Sequence, residues 1–69
     1  MKISIIVPVF NEEKTIIQIL KNIKKIESKV QGDFEIIVIN DGSTDNTINL
    51  LNENKNVYEK LININKNQG

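Results

Sequence analysis

Two apolar runs, each stopped by a cluster of small polar and acidic residues, constrain this chain more than any other feature. Ile3-Ser4-Ile5-Ile6-Val7-Pro8-Val9 gives way to Phe10-Asn11-Glu12-Glu13. Phe34-Glu35-Ile36-Ile37-Val38-Ile39 gives way to Asn40-Asp41-Gly42-Ser43-Thr44-Asp45. Short, nearly continuous β-branched runs of this kind read as strands covered on both faces, the pattern of a parallel sheet. In an open parallel sheet, ligands sit outside the carboxyl ends of the strands, so both polar clusters are candidate binding loops.

Between the runs, Ile16, Leu20, Ile23 and Ile26 recur at helical spacing, and Ile17 and Ile19 widen the stripe. Asn11 is placed as an N-cap, with Glu12 and Glu13 suited to the positive end of the helix dipole. The spacing predicts a helix from about Glu12 to Ile26. A second helix is expected from Thr44 or Asp45 through Ile48 and Leu51 towards Glu53, and a third strand from Val57 to Ile64. Strand, helix, strand, helix, strand with short links is the βαβαβ pattern. Right-handed crossovers put both helices on one face and order the strands 3-2-1. One sheet face and the free edge of the first strand then lack cover, so the chain reads as the amino-terminal half of a larger domain.

Length supports that expectation. With 69 residues, no cysteine and no histidine, the chain has neither of the usual staples of a small fold, and a domain of this size buries only about 60% of its unfolded surface. Nine basic and nine acidic residues cancel, which argues against a broad nucleic-acid surface. The lysines at Lys14, Lys21, Lys24, Lys25 and Lys29 read as a solvated helix face. No apolar run approaches the ~20 residues of a membrane span. The expected location is the cytoplasm, or the cytoplasmic membrane face in the full-length protein.

The chemistry follows from what the strand ends carry and lack. No Gly-x-Gly-x-x-Gly and no Walker-type loop is present. A carboxylate accepts hydrogen bonds from a base N–H or a ribose hydroxyl, or binds a metal. Asp41 is placed to read the N–H edge of a uracil or a guanine, and Glu12 to make a second base or ribose contact. Pro8, Phe10 and Ile39 supply the flat apolar wall that a base ring needs. Taken singly, each also has a purely local reading. Asp41-Gly42-Ser43 makes an Asx turn, Asn11-Glu12-Glu13 a cap, Asp45 a helix start, and Phe10 a core residue.

Jointly, Ile5 to Glu13 followed by Ile37 to Thr47 resembles the opening of the family two glycosyltransferases, inverting enzymes of the GT-A fold that use nucleotide-diphospho-sugars. The closing Asn67-Gln68-Gly69 is similar to that family's next loop, especially in the polyprenyl-phosphate or dolichyl-phosphate mannose and glucose synthase branch. The resemblance implies an α/β, three-layer Rossmann-like domain of which residues 1–69 form the nucleotide-sugar-binding part. It implies that Pro8, Phe10 and Glu12 line the nucleotide pocket from the first strand, with Ile39 and Asp41 lining it from the second and Asp41 meeting the base. Ser43 and Asp45 shape the loop. Many relatives carry a carboxylate where this chain has Asn40. The implied partners are a UDP- or GDP-linked sugar and the remainder of the catalytic domain, with no nucleic acid. The implied manganese or magnesium, its Asp-x-Asp ligands and the general base lie beyond Gly69, so the piece alone is expected to be inactive. The alternative is a non-catalytic nucleotide-binding or interaction module built on the same subdomain. A receiver-like domain is disfavoured because the third strand carries no phospho-accepting Asp.

Overall fold

The computed structural model describes residues 2–64. Three parallel strands, β1 (Lys2–Val9), β2 (Asp33–Asp41) and β3 (Lys60–Ile64), form one sheet in the order β1-β2-β3. The 3-2-1 expectation is thus met with β2 central. Helix α1 (Ile16–Glu27) links the first two strands; α2 (Thr47–Glu53) and a 3₁₀ turn over Lys55–Val57 link the last two. The expected strand-terminal loop at Asn67-Gln68-Gly69 lies outside the described residues.

Alternation along the strands sorts the side chains into two faces. Val9, Ile36 and Val38 are buried with Ile16 and Leu20 of α1, Leu51 of α2, and Val57 and Tyr58 beyond it. Val7, Ile17, Ile23 and Leu61 pack against this cluster. Both helices therefore cover one face, as right-handed crossovers require. On the other face Ile6 pairs with Ile37, Pro8 with Ile39, Ile39 with Ile62 and Asp41 with Ile64. Ile6, Ile62 and Ile64 are exposed there, so the described residues build two of the three layers expected of the fold.

Three element boundaries differ from expectation. α1 begins at Ile16 rather than Glu12, because Asn11 takes a left-handed conformation (φ 50°) and Glu12 to Thr15 make a separate turn. In that turn the Thr15 and Ile16 N–H groups donate to the Glu12 carbonyl. Consequently no acidic residue occupies the first turn of α1, and Asn11 does not cap it. α2 begins at Thr47, three residues after Thr44, and β3 begins at Lys60, after Val57 is taken into the 3₁₀ turn. Ile19 and Ile26, assigned by spacing to the apolar stripe, are exposed.

Glu59 fixes the start of β3. Its backbone N–H donates to the Ile36 carbonyl at 2.9 Å, and its carboxylate accepts the Ile36 N–H at 2.7 Å and the Lys24 ammonium at 2.7 Å. One residue thereby ties β3 to β2 and to α1. Desolvation raises the Glu59 carboxyl, but the Lys24 hydrogen bond and the Ile36 N–H outweigh it and leave the group below the usual carboxylate range. The Glu59 hydrogen bond correspondingly raises Lys24.

Candidate functional site

The register pairs Val9 with Asn40, so the loops that follow β1 and β2 leave the sheet side by side. Sequence chemistry then stitches them together. The Asn11 side-chain oxygen accepts the N–H groups of Thr44 (2.7 Å) and Asp45 (3.2 Å). The Asn11 N–H donates to the Ser43 hydroxyl at 2.9 Å, and its side-chain amide donates to the Thr44 hydroxyl at 3.4 Å. Asparagine is among the few residues that tolerate a positive φ, and here that conformation aims its amide across the gap. Gly42, also left-handed at φ 74°, makes the opposing turn without a Cβ penalty.

Beneath this contact lies Asp45. Its carboxylate accepts the Thr47 N–H (2.9 Å), the Thr47 hydroxyl in a short bond, and the Glu13 N–H (3.3 Å). The Thr47 hydroxyl, fully buried, in turn accepts the Glu12 N–H at 3.0 Å. The Glu13 carboxylate returns the contact by accepting the Asn46 N–H at 3.2 Å. Desolvation raises the Asp45 carboxyl, but the Thr47 and Glu13 hydrogen bonds prevail and hold it below the usual range. The sequence reading of Asp45 as the residue that serves the start of α2 is met, and the same carboxylate also anchors the β1 loop.

Asn40 is buried and bridges in two directions. Its side-chain oxygen accepts the Ser43 N–H at 3.3 Å, and its amide donates to the Asn63 side chain at 3.0 Å. Asn40 thus binds the backbone of the β2 loop through its own side chain. This is the physical content of the departure at Asn40: the residue holds loop geometry.

An open concavity of about 300 Å³ lies at the loop after β1, lined by Asn11, Glu12, Glu13, Lys14 and Thr15, with Asp45 from the loop after β2. Of the residues expected to bind a nucleotide, Glu12 lines it, with its carboxylate held by the Thr15 hydroxyl at 3.0 Å. Pro8, Ile39 and Asp41 cluster on the uncovered sheet face at the same end: Pro8 pairs with Ile39, and Asp41 follows two residues along β2. Phe10 stands at the tip of β1, half exposed. Sequence reasoning missed the cross-loop roles of Asn11 and Thr47. The signal for Asn11 is that an asparagine after a strand serves equally as a cap or as a left-handed turn residue, and only the neighbouring loop decides between them.

The family model for glycosyl transferase family 2 matches residues 4–69. The chain belongs to that family. A protein of Proteus mirabilis (strain HI4320) named undecaprenyl-phosphate 4-deoxy-4-formamido-L-arabinose transferase is 34% identical over 99% of this family 2 chain, which covers 22% of that protein. The poly(ribitol-phosphate) beta-glucosyltransferase of Bacillus spizizenii (strain ATCC 23059 / NRRL B-14472 / W23) is 39% identical over 90% of the chain and 10% of its own length. The prophage bactoprenol glucosyl transferase homolog of Escherichia coli (strain K12) is 46% identical over 75% of the chain and 17% of its own length. The chain thus spans less than a quarter of each of these relatives, and the names of the first and the third are consistent with the branch that the sequence resembled. No solved structure matches the chain.

Proposed function

We propose that this chain is the nucleotide-binding amino-terminal part of a glycosyltransferase that moves a sugar, with inversion, from a nucleotide diphosphate to an acceptor such as a polyprenyl phosphate. The observation that carries the reading is the stitched pair of strand-end loops. Asn11, Asp45 and Thr47 satisfy one another and leave the Glu12 carboxylate in a concavity, at the sheet end that also carries Pro8, Ile39 and Asp41. Hydrogen-bond acceptors at the carboxyl ends of parallel strands, where ligands of such sheets sit, support the reading.

A divalent cation, manganese or magnesium, would neutralise the diphosphate leaving group in the full-length enzyme. Among the described residues no group of three or more His, Cys, Asp or Glu side chains converges to hold one. These residues do not fit a metal, and the proposal assigns no step through one to them. Two relatives carry undecaprenyl phosphate or bactoprenol in their names, which favours a polyprenyl-phosphate acceptor and action at a membrane face. Among the described residues no helix is long and apolar enough to cross a membrane.

The test is a transfer assay on the full-length protein with UDP- and GDP-linked sugars, a polyprenyl phosphate and manganese. Formation of a lipid-linked sugar whose anomeric configuration is opposite to that of the donor supports the reading. No product from any donor, or a product of retained configuration, overturns it.

A further inference from the structure

Thr47 is fully buried, and its hydroxyl is engaged on two sides. Its proton goes to the Asp45 carboxylate, which also accepts the Thr47 N–H at 2.9 Å. Its oxygen turns to the other loop and accepts the Glu12 N–H at 3.0 Å, from 35 residues away in sequence. Asp45 takes the next N–H along, that of Glu13, at 3.3 Å. On its other side Glu12 is held by the start of α1, where its carbonyl accepts the N–H groups of Thr15 at 3.1 Å and Ile16 at 2.9 Å. Both backbone polar groups of Glu12 are therefore fixed, the N–H by the first residue of α2 and the carbonyl by the turn that opens α1. Its side chain is exposed, and one carboxylate oxygen accepts the Thr15 hydroxyl at 3.0 Å.

We propose that Thr47 is a positioning residue for the nucleotide, aiming the Glu12 carboxylate through the Glu12 backbone without itself touching the ligand. Packing alone is served as well by valine, which has a similar shape and buries no polar group. What the hydroxyl adds is a fixed Glu12 N–H. Because the Thr47 proton points to a carboxylate, the oxygen is polarised into a better acceptor for that N–H. A Glu12 backbone held at both ends leaves the exposed side chain less freedom to lose when a ligand binds. The inference rests on the proposed role of Glu12 in nucleotide binding and extends that role to the first residue of α2.

The test is calorimetric titration of UDP and GDP into the full-length protein and its Thr47→Val, Thr47→Ser and Glu12→Ala variants, with Thr47→Val/Glu12→Ala closing the cycle. Thr47→Val should weaken binding about five-fold, the effect of one ordinary hydrogen bond. Thr47→Ser keeps the hydroxyl and should recover most of the affinity that valine loses. In the Glu12→Ala background Thr47→Val should change affinity less than about two-fold, the usual scatter of such cycles. A merely structural role predicts the same loss in both backgrounds, and that result overturns the proposal. Thr47→Cys, the size of serine but a weak acceptor, replaces Thr47→Val if circular dichroism shows the valine variant unfolded. An affinity that the valine or cysteine variant leaves intact, or that serine fails to recover, overturns the proposal and leaves the nucleotide reading standing. Binding of neither nucleotide to the parent removes that reading, and the proposal with it.

Discussion

The side-chain oxygen of Asn11 accepts the backbone N–H of Thr44 at 2.7 Å, across 33 residues of sequence and between the loops that leave two neighbouring strands. Because the same oxygen also accepts the Asp45 N–H, one asparagine sets the distance between the loops that form the candidate site. Its left-handed backbone is part of the device: a residue strained by about 1–3 kcal/mol persists only when its surroundings over-determine it.

Asn11→Ala removes both acceptor contacts and retains a Cβ in a left-handed conformation. It should destabilise the fold by about 1–3 kcal/mol. Asn11→Asp keeps the acceptor and should cost less. Asn11→Gly relieves the backbone but loses the staple, and should fall between them. Urea midpoints of the three variants rank the contributions; equal midpoints for Asp and Ala would show that the side-chain acceptor is idle.

Acid should loosen the connection between β3, β2 and α1. The Glu59 carboxyl is depressed in the folded state, so its stabilising contribution is complete above the ordinary glutamate value of about 4.3 and is lost as pH falls through the lower folded value. Its side chain is 35% exposed, so solvent screening limits the effect to about 1 kcal/mol or less. Glu59→Gln should flatten the urea midpoint against pH in that acidic window while leaving neutral pH slightly destabilised. An unchanged acid slope would show that the Lys24 and Ile36 contacts are not coupled to protonation. Asp45 shifts in the same direction, so the stitched loops should weaken in the same window.

Leu51 is fully buried, and its carbonyl accepts the Tyr58 hydroxyl at 2.8 Å. Leu51→Ala should cost about 2–5 kcal/mol, whereas Tyr58→Phe removes one hydrogen bond and should cost about 0.5–1.5 kcal/mol. Calorimetry on both variants checks the ratio. A larger loss for Tyr58→Phe would mean that the hydroxyl, not the packing, holds α2 to the turn that follows it.

Much of the architecture was legible in the chain. The β-branched runs at Ile5 to Val9 and Ile36 to Ile39 mark strands because such side chains fit a pleated sheet, and Ile16 and Leu20 mark the inner face of α1. What escaped was whatever depends on a contact distant in sequence. Thr44 and Asp45 look like a helix start until their N–H groups are seen to be taken by Asn11. Val57 looks like strand until the 3₁₀ turn and the Glu59 contact to Ile36 reset the start of β3. Ile19 and Ile26 fit a helical stripe by spacing, but they lie about 100–120° around α1 from the buried Leu20, off the face that meets the core. For the site, the residue types were legible, and the stitching was not, because neither loop alone specifies it.

The central claim is that Asp41 and Glu12, at the ends of β2 and β1, hold a nucleotide diphosphate. Calorimetric titration of UDP and GDP into the full-length protein, its Asp41→Ala variant and its Glu12→Ala variant tests it most directly. The account predicts that one nucleotide binds the parent and that each substitution weakens it about ten-fold or more, the loss of a hydrogen bond to a charged group being about 1.5–3 kcal/mol. Binding of neither nucleotide, or equal affinity in parent and both variants, would contradict it.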